Sequence, residues 1–237
     1  MSSSYVSSCV ISKCNQQPNV CSGRYMVVAV EKREKEQRRK LQYFLSDLAI
    51  LGSLQGFRYF QPWLRGREEL LLTIVNEDLE INCTLFLLAG YAKYGRPYAW
   101  IRSNHERLVN IGGTDSMVRD TPMKLKSITD WGSQGTRVWD VVSELVCLCT
   151  IPPPANPFAL DMRYLQTLPL SERFLVSGAL INFLEMLVVQ CSQEEPFYSK
   201  VVEEMDPLRR LHVQALWEVQ HHRSEAVAVG PGPSEQQ

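Results

Sequence analysis

The stretch Ile151-Pro152-Pro153-Pro154-Ala155-Asn156-Pro157 divides the 237-residue chain into two parts that read differently. No helix is expected to continue through it, because each proline lacks an amide donor and disfavours helical backbone at the residue before it. Upstream, candidate strands and helices alternate; downstream, every periodic segment has a helical spacing. The expected fold class is α+β, a mixed N-terminal part with short strands and helices followed by an all-helical C-terminal part. The expected organisation is a disordered tail over 1–24, a basic α+β domain over 25–150, a proline-rich linker over 151–157, an acidic helical domain over 158–223 and a second disordered tail over 224–237.

Immediately upstream of the prolines, Val138, Val141, Val142, Leu145 and Leu148 recur at helical spacing and predict a helix over Thr136 to Cys149. Residues 115–135 read mostly as loop, Gly112 to Asp115 as a turn, and Leu108–Ile111 and Tyr98–Arg102 as extended. Leu70 to Val75 (LLLTIV) predicts a buried strand. A helix is expected after it, capped by Asn76 or Asp78 and ended by Gly90 or Gly95. Further back, Tyr25 to Val30 (YMVVAV) reads as another buried strand. Glu31 to Lys40 alternates charges, whereas Leu41, Phe44, Leu45, Leu48 and Leu51 follow at helical spacing. The charged run then forms the solvated first turns of a helix whose later turns dock on the core, ending near Gly52 or Gly56.

Downstream, helices are expected around 158–166, over Ser171 to Ser192, near 196–205 and over Pro207 to His222, with Asp206-Pro207 as the start signal of the last. Within Phe174 to Val189 only Ser177, Gly178, Asn182 and Glu185 are not apolar. The run is too short for a membrane span and carries a charge. It reads as the central helix of a bundle or as one half of a subunit interface, with Phe174, Leu180, Phe183, Leu184 and Leu187 as the interface side chains.

Charge is divided along the chain. Residues 1–137 carry 19 Lys and Arg against 13 Asp and Glu, and residues 138–237 carry 6 against 13, so a net charge of −1 conceals a basic first part and an acidic second. That asymmetry points to an acidic partner for the first part. Hydrophobic content of 45% and charged content of 22% exclude global disorder. Met1 to Arg24 lacks the basic and apolar regions of a secretory signal, so the expected location is the cytoplasm or nucleus. Seven scattered cysteines read as reduced thiols, with no paired Cys-x-x-Cys to hold zinc. No metal and no cofactor is expected.

The candidate chemistry lies between Tyr91 and Arg107, where Tyr91, Tyr94, Tyr98 and Trp100 interleave with Lys93, Arg96, Arg102 and Arg107 against the single acid Glu106. If Tyr98 to Arg102 is a strand, period two places Tyr98, Trp100 and Arg102 on one face and Ala99 and Ile101 on the other. Single-stranded nucleic acid is held by aromatic platforms beside cations that follow the phosphates, which is the combination written here. A second such stretch, Phe57 to Arg67, contributes Arg58, Arg65 and Arg67. The competing reading makes Tyr98 and Trp100 core aromatics rimmed by arginines.

For enzyme chemistry the signals are few. His105 has no paired nucleophile, and the Gly112-Gly113 and Gly132 to Gly135 stretches lack the residues of a phosphate loop or a nucleophile elbow. The expected function is therefore non-enzymatic: a binding protein that contacts RNA or another polyanion through the N-terminal part, and a protein partner or itself through the helical part. The alternatives are a protein-interaction adaptor or inhibitor with no nucleic-acid role, and thirdly an enzyme of unrecognised family.

Overall fold

Leu70, Leu72 and Ile74 are buried while Leu71 and Thr73 between them stay partly exposed, the period-two pattern of a strand with one face on the core. This strand, β2 (Leu70–Ile74), was expected; it pairs antiparallel with β1 (Phe60–Leu64) on one side and β3 (Thr84–Ala89) on the other. β3 pairs in turn with β4 (Tyr98–Ile101), giving a four-stranded antiparallel sheet in the order β1-β2-β3-β4. The computed structural model describes residues 21–75, 84–102, 121–131, 135–190 and 197–228. It divides the chain into two units, residues 1–39 and 40–237, and the sheet lies in the second.

Seven helices are present among the described residues. In chain order they are α1 (Cys21–Gly52), α2 (Tyr91–Tyr94), α3 (Lys126–Thr129), α4 (Val138–Cys149), α5 (Met162–Thr167), α6 (Leu170–Gln190) and α7 (Tyr198–Ala228). With the sheet they make the protein α+β, as its sequence implies. In the first unit, Glu31 to Arg39 lies along α1 with i,i+3 and i,i+4 pairs such as Glu36–Arg39 at 3.0 Å. In the second, Phe44, Leu48 and Leu51 are buried, and the helix stops at Gly52 as expected.

Three expected elements differ. Tyr25 to Val30 is not a strand but the start of α1, and Val30 is exposed. No glycine or proline separates that apolar run from the helical pattern that follows, and no described strand pairs with it. The helix expected up to Gly90 is replaced over Thr84–Ala89 by β3, whose neighbours on both sides bury Phe86, Leu87, Leu88 and Ala89. Phe86 and Leu88 face the core while Leu87 and Ala89 lie beside cross-strand partners on the other face, and periodicity alone does not separate such an apolar run from a buried helix. The rest of that expected helix, 76–83, lies outside the described residues, as do Leu108–Ile111 and Gly112–Asp115.

The third difference is at Pro207, which lies inside α7 and does not begin a helix. An interior proline costs about 3 kcal/mol. Val201, Met205, Leu208 and Leu211 form one buried stripe running through it, each side chain contributing roughly 1.5–3 kcal/mol, so continuity wins. α7 also reaches Ala228, into the stretch expected to be a tail.

The core draws on both sides of the proline stretch. Phe57 and Phe60 stack at 4.4 Å, Phe158 meets Phe60 edge-on, and Phe183 meets Phe57, Trp139 and Phe158 at 5.7–6.2 Å. Phe57 also bridges Leu160 through the backbone. α6 and α7 pack antiparallel: Arg173 faces Glu218 at 3.5 Å, Ser177 Oγ lies 2.9 Å from His212 Nδ1, and Arg209 donates to Glu185 at 3.0 Å.

Candidate nucleic-acid interface on the outer sheet face

Two turns and one register bring the site together. Across the sheet, Trp63 lies opposite Leu71, Leu71 opposite Leu87, and Leu87 opposite Trp100. Residues directly opposite in antiparallel strands point to the same face, so these four form one row across all four strands, on the side away from Phe60, Leu72, Phe86 and Ile101. Tyr98, opposite Ala89, joins Trp100 on that face. In β4, Ala99 and Ile101 are buried and Tyr98 and Trp100 partly exposed, so neither ring is sealed in the core.

The rings carry cations. The Tyr98 and Trp100 centroids lie 5.9 Å apart with planes tilted by 44°. Arg96 sits 5.1 Å over the Tyr98 ring and its Nε donates to the Tyr98 hydroxyl at 2.9 Å; Arg102 sits 6.0 Å from the Trp100 centroid. Both arginines remain exposed, each with its guanidinium beside a ring.

The position of Arg96 follows from α2. Gly90 and Gly95 take left-handed backbone, φ 87° and 70°, at the two ends of this four-residue helix, and the Gly95 amide closes it on the Tyr91 carbonyl. A side chain at either position would be strained, so the glycines set where Lys93 and Arg96 emerge. Tyr91 anchors the turn, stacked on Phe44 at 4.7 Å, and burial pushes its hydroxyl pKa up.

The other expected residues divide. The β1–β2 hairpin, closed by Arg65 N–H to Glu69 O, lies at the same end of the sheet as the β3–β4 connection, because Leu64, Leu70, Leu88 and Ala99 are in register. Arg65 and Arg67 are thus at the same end as Lys93 and Arg96, all exposed, with Arg65 facing Glu69 at 3.8 Å. Arg58 is at the opposite end beside the Tyr59 ring, and it faces Glu204 of α7, whose carboxyl burial pushes up and Arg58 pulls back. Arg107 lies outside the described residues. The side chains expected at a subunit interface are placed otherwise: Leu180, Phe183, Leu184 and Leu187 are at most 1% exposed in the protein's own core, and Phe174 stacks on His212 in the α6–α7 seam. They face inward because α6 closes over the Phe57–Phe158 cluster, leaving Leu175 and Val189 on its outer side.

Trp63, which is 60% exposed, is the residue whose place sequence reasoning did not give. Pro62 beside it argues against a strand, and only β1's position at a sheet edge lets the proline in. Among the described residues no group of three or more His, Cys, Asp or Glu could hold a metal, and no helix is long and apolar enough to cross a membrane.

Fold and site together define an α+β protein with a four-stranded antiparallel sheet whose outer face carries tryptophans at both edges, one of them beside arginine-flanked rings. The chain belongs to the family described as Domain of unknown function (DUF7886), whose profile matches residues 59–214, from β1 into α7. No curated protein and no solved structure matches it.

Proposed function

We propose that this protein binds single-stranded nucleic acid, RNA in the first instance, on the outer face of its sheet, without catalysis. The observation that carries the reading is the pairing of two partly exposed rings, Tyr98 and Trp100, with Arg96 and Arg102 over them. Bases stack on such rings in any sequence, and guanidinium groups held beside them meet the phosphates. The face suits a flexible single strand better than a duplex, whose bases are already stacked on one another.

Salt dependence tests it. Affinity for a single strand falls as counterions are released, with a slope set by the number of phosphates neutralised. Replacing Arg96 and Arg102 by Ala should flatten the plot of log affinity against log salt by about 1 for each phosphate contact removed. Trp100→Ala should weaken binding by about 1–3 kcal/mol while leaving the thermal midpoint nearly unchanged. An unaltered slope in the arginine variants, measured by fluorescence anisotropy, removes them from the site. Unfolding of the tryptophan variant returns that ring to the core.

A second reading, contact with a protein partner or with another copy, is favoured by the outer side of α7. Val213 and Trp217 are 62% and 63% exposed there beside Arg209 and Arg210, and they line a shallow groove. Exposed Trp and Arg are the residue types that dominate protein contacts. Trp217→Ala should lower the mass of any self-associated form in sedimentation. A chain that is monomeric at all concentrations ends the self-association version.

A further inference from the structure

We infer that Trp63 is a third base platform of the same site, so that the bound strand crosses the sheet from β4 to β1 instead of running along β4. This rests on the single-strand reading above. Trp63 and Trp100 point to one face and are joined in register by Leu71 and Leu87 alone. Strands lie about 4.8 Å apart, so three spacings separate the two tryptophans by about 14 Å. At a stacked rise of about 3.4 Å per nucleotide, that is roughly four steps, and fewer if the strand is drawn out.

The path is also electrically open. None of the described outward-facing positions on the four strands is acidic, so a polyanion crosses between the tryptophans without meeting a carboxylate on the strands. Glu68 and Glu69 are in the β1–β2 hairpin at one end of the sheet, where Arg65 faces Glu69 and Arg67 is exposed. The cations of the two turns, Arg65 and Arg67 after β1 and Lys93 and Arg96 before β4, border the row on one side at its two ends. A sheet face that used only Tyr98 and Trp100 would leave a large exposed ring at the far edge with nothing to do; a crossing strand uses it.

The expected signature is a length dependence that one variant removes. Fluorescein-labelled oligouridylates of three and eight nucleotides, titrated at one low salt concentration, separate the two ends of the row. Trp63→Ala should lower affinity for the octamer by about 5- to 150-fold, the equivalent of losing one stacked base, and leave the trimer unchanged. Trp100→Ala should weaken both lengths. Because Trp63 is 60% exposed, its replacement leaves the core intact. Equal loss at both lengths, or none at either, overturns the crossing while the β4 platform stands. Failure of the wild-type protein to bind either length overturns the single-strand reading itself.

Discussion

Asp47→Asn should lower the free energy of unfolding by about 3 kcal/mol, seen as an earlier urea midpoint with an unchanged slope. Asp47 of α1 is 1% exposed and receives Arg137 through two guanidinium nitrogens, Nε at 2.9 Å and Nη2, and it also accepts the Val138 amide at 3.2 Å. The carboxylate therefore neutralises a guanidinium and satisfies the first amide of α4 at once. Arg137 is further fixed over Trp139 at 4.3 Å and donates to Gln190 of α6 at 2.8 Å, so one pair ties three helices together. Burial pushes the Asp47 carboxyl up, and the hydrogen bonds and charge of Arg137 pull against that shift.

The magnitude follows from what is left behind. An amide at position 47 keeps one acceptor oxygen but turns an NH2 donor towards groups that need an acceptor, and it leaves the guanidinium charge without its counterion. Breaking a buried pair costs about 3–5 kcal/mol; the lower end applies because the Arg137 side chain is 24% exposed. Replacing both partners, Asp47→Leu with Arg137→Met, should restore part of the loss, since it removes the charges together but leaves the Val138 amide without its acceptor. A single-variant loss below about 1 kcal/mol would place the pair with ordinary surface bridges.

The parts of this fold that were legible are those where one pattern has one outcome. Leu41 to Leu51 repeats at helical spacing beside a charged run and could only be a docked helix. Leu70 to Val75 is a short apolar run bounded by Gly66 and Asn76, and Leu70 to Ile74 is a strand. What was not legible depended on neighbours far off in sequence. Thr84 to Ala89 is a strand because β2 and β4 flank it, and Pro207 sits in a helix because a buried stripe runs on both sides of it. The site shows the same division. The face shared by Tyr98 and Trp100 follows from period two within one strand, whereas Trp63 reaches that face only through three pairings the linear chain does not announce. The proline stretch signals a break in helix, and local chemistry supports that much. It carries no information about whether Phe158 beyond it packs on Phe60 before it, which it does.

Phe183→Ala should cost about 3–5 kcal/mol, and the loss should be the same at every protein concentration. The ring is 0% exposed and meets Phe57, Trp139 and Phe158 edge-on, so truncation removes contacts to residues from the start of the sheet, from α4 and from beyond the prolines. Edge-on aromatic pairs contribute beyond their buried area, and no neighbour in that rigid ring cluster can easily fill the space. A domain with about 5–15 kcal/mol of stability survives the change weakened but folded. Concentration is the informative variable. A side chain buried between subunits would tie stability to protomer concentration by mass action, whereas one in a chain's own core would not. Urea titrations of Phe183→Ala at two concentrations a hundredfold apart should therefore give one midpoint. Two midpoints would move α6 from the interior of one chain to a boundary between two.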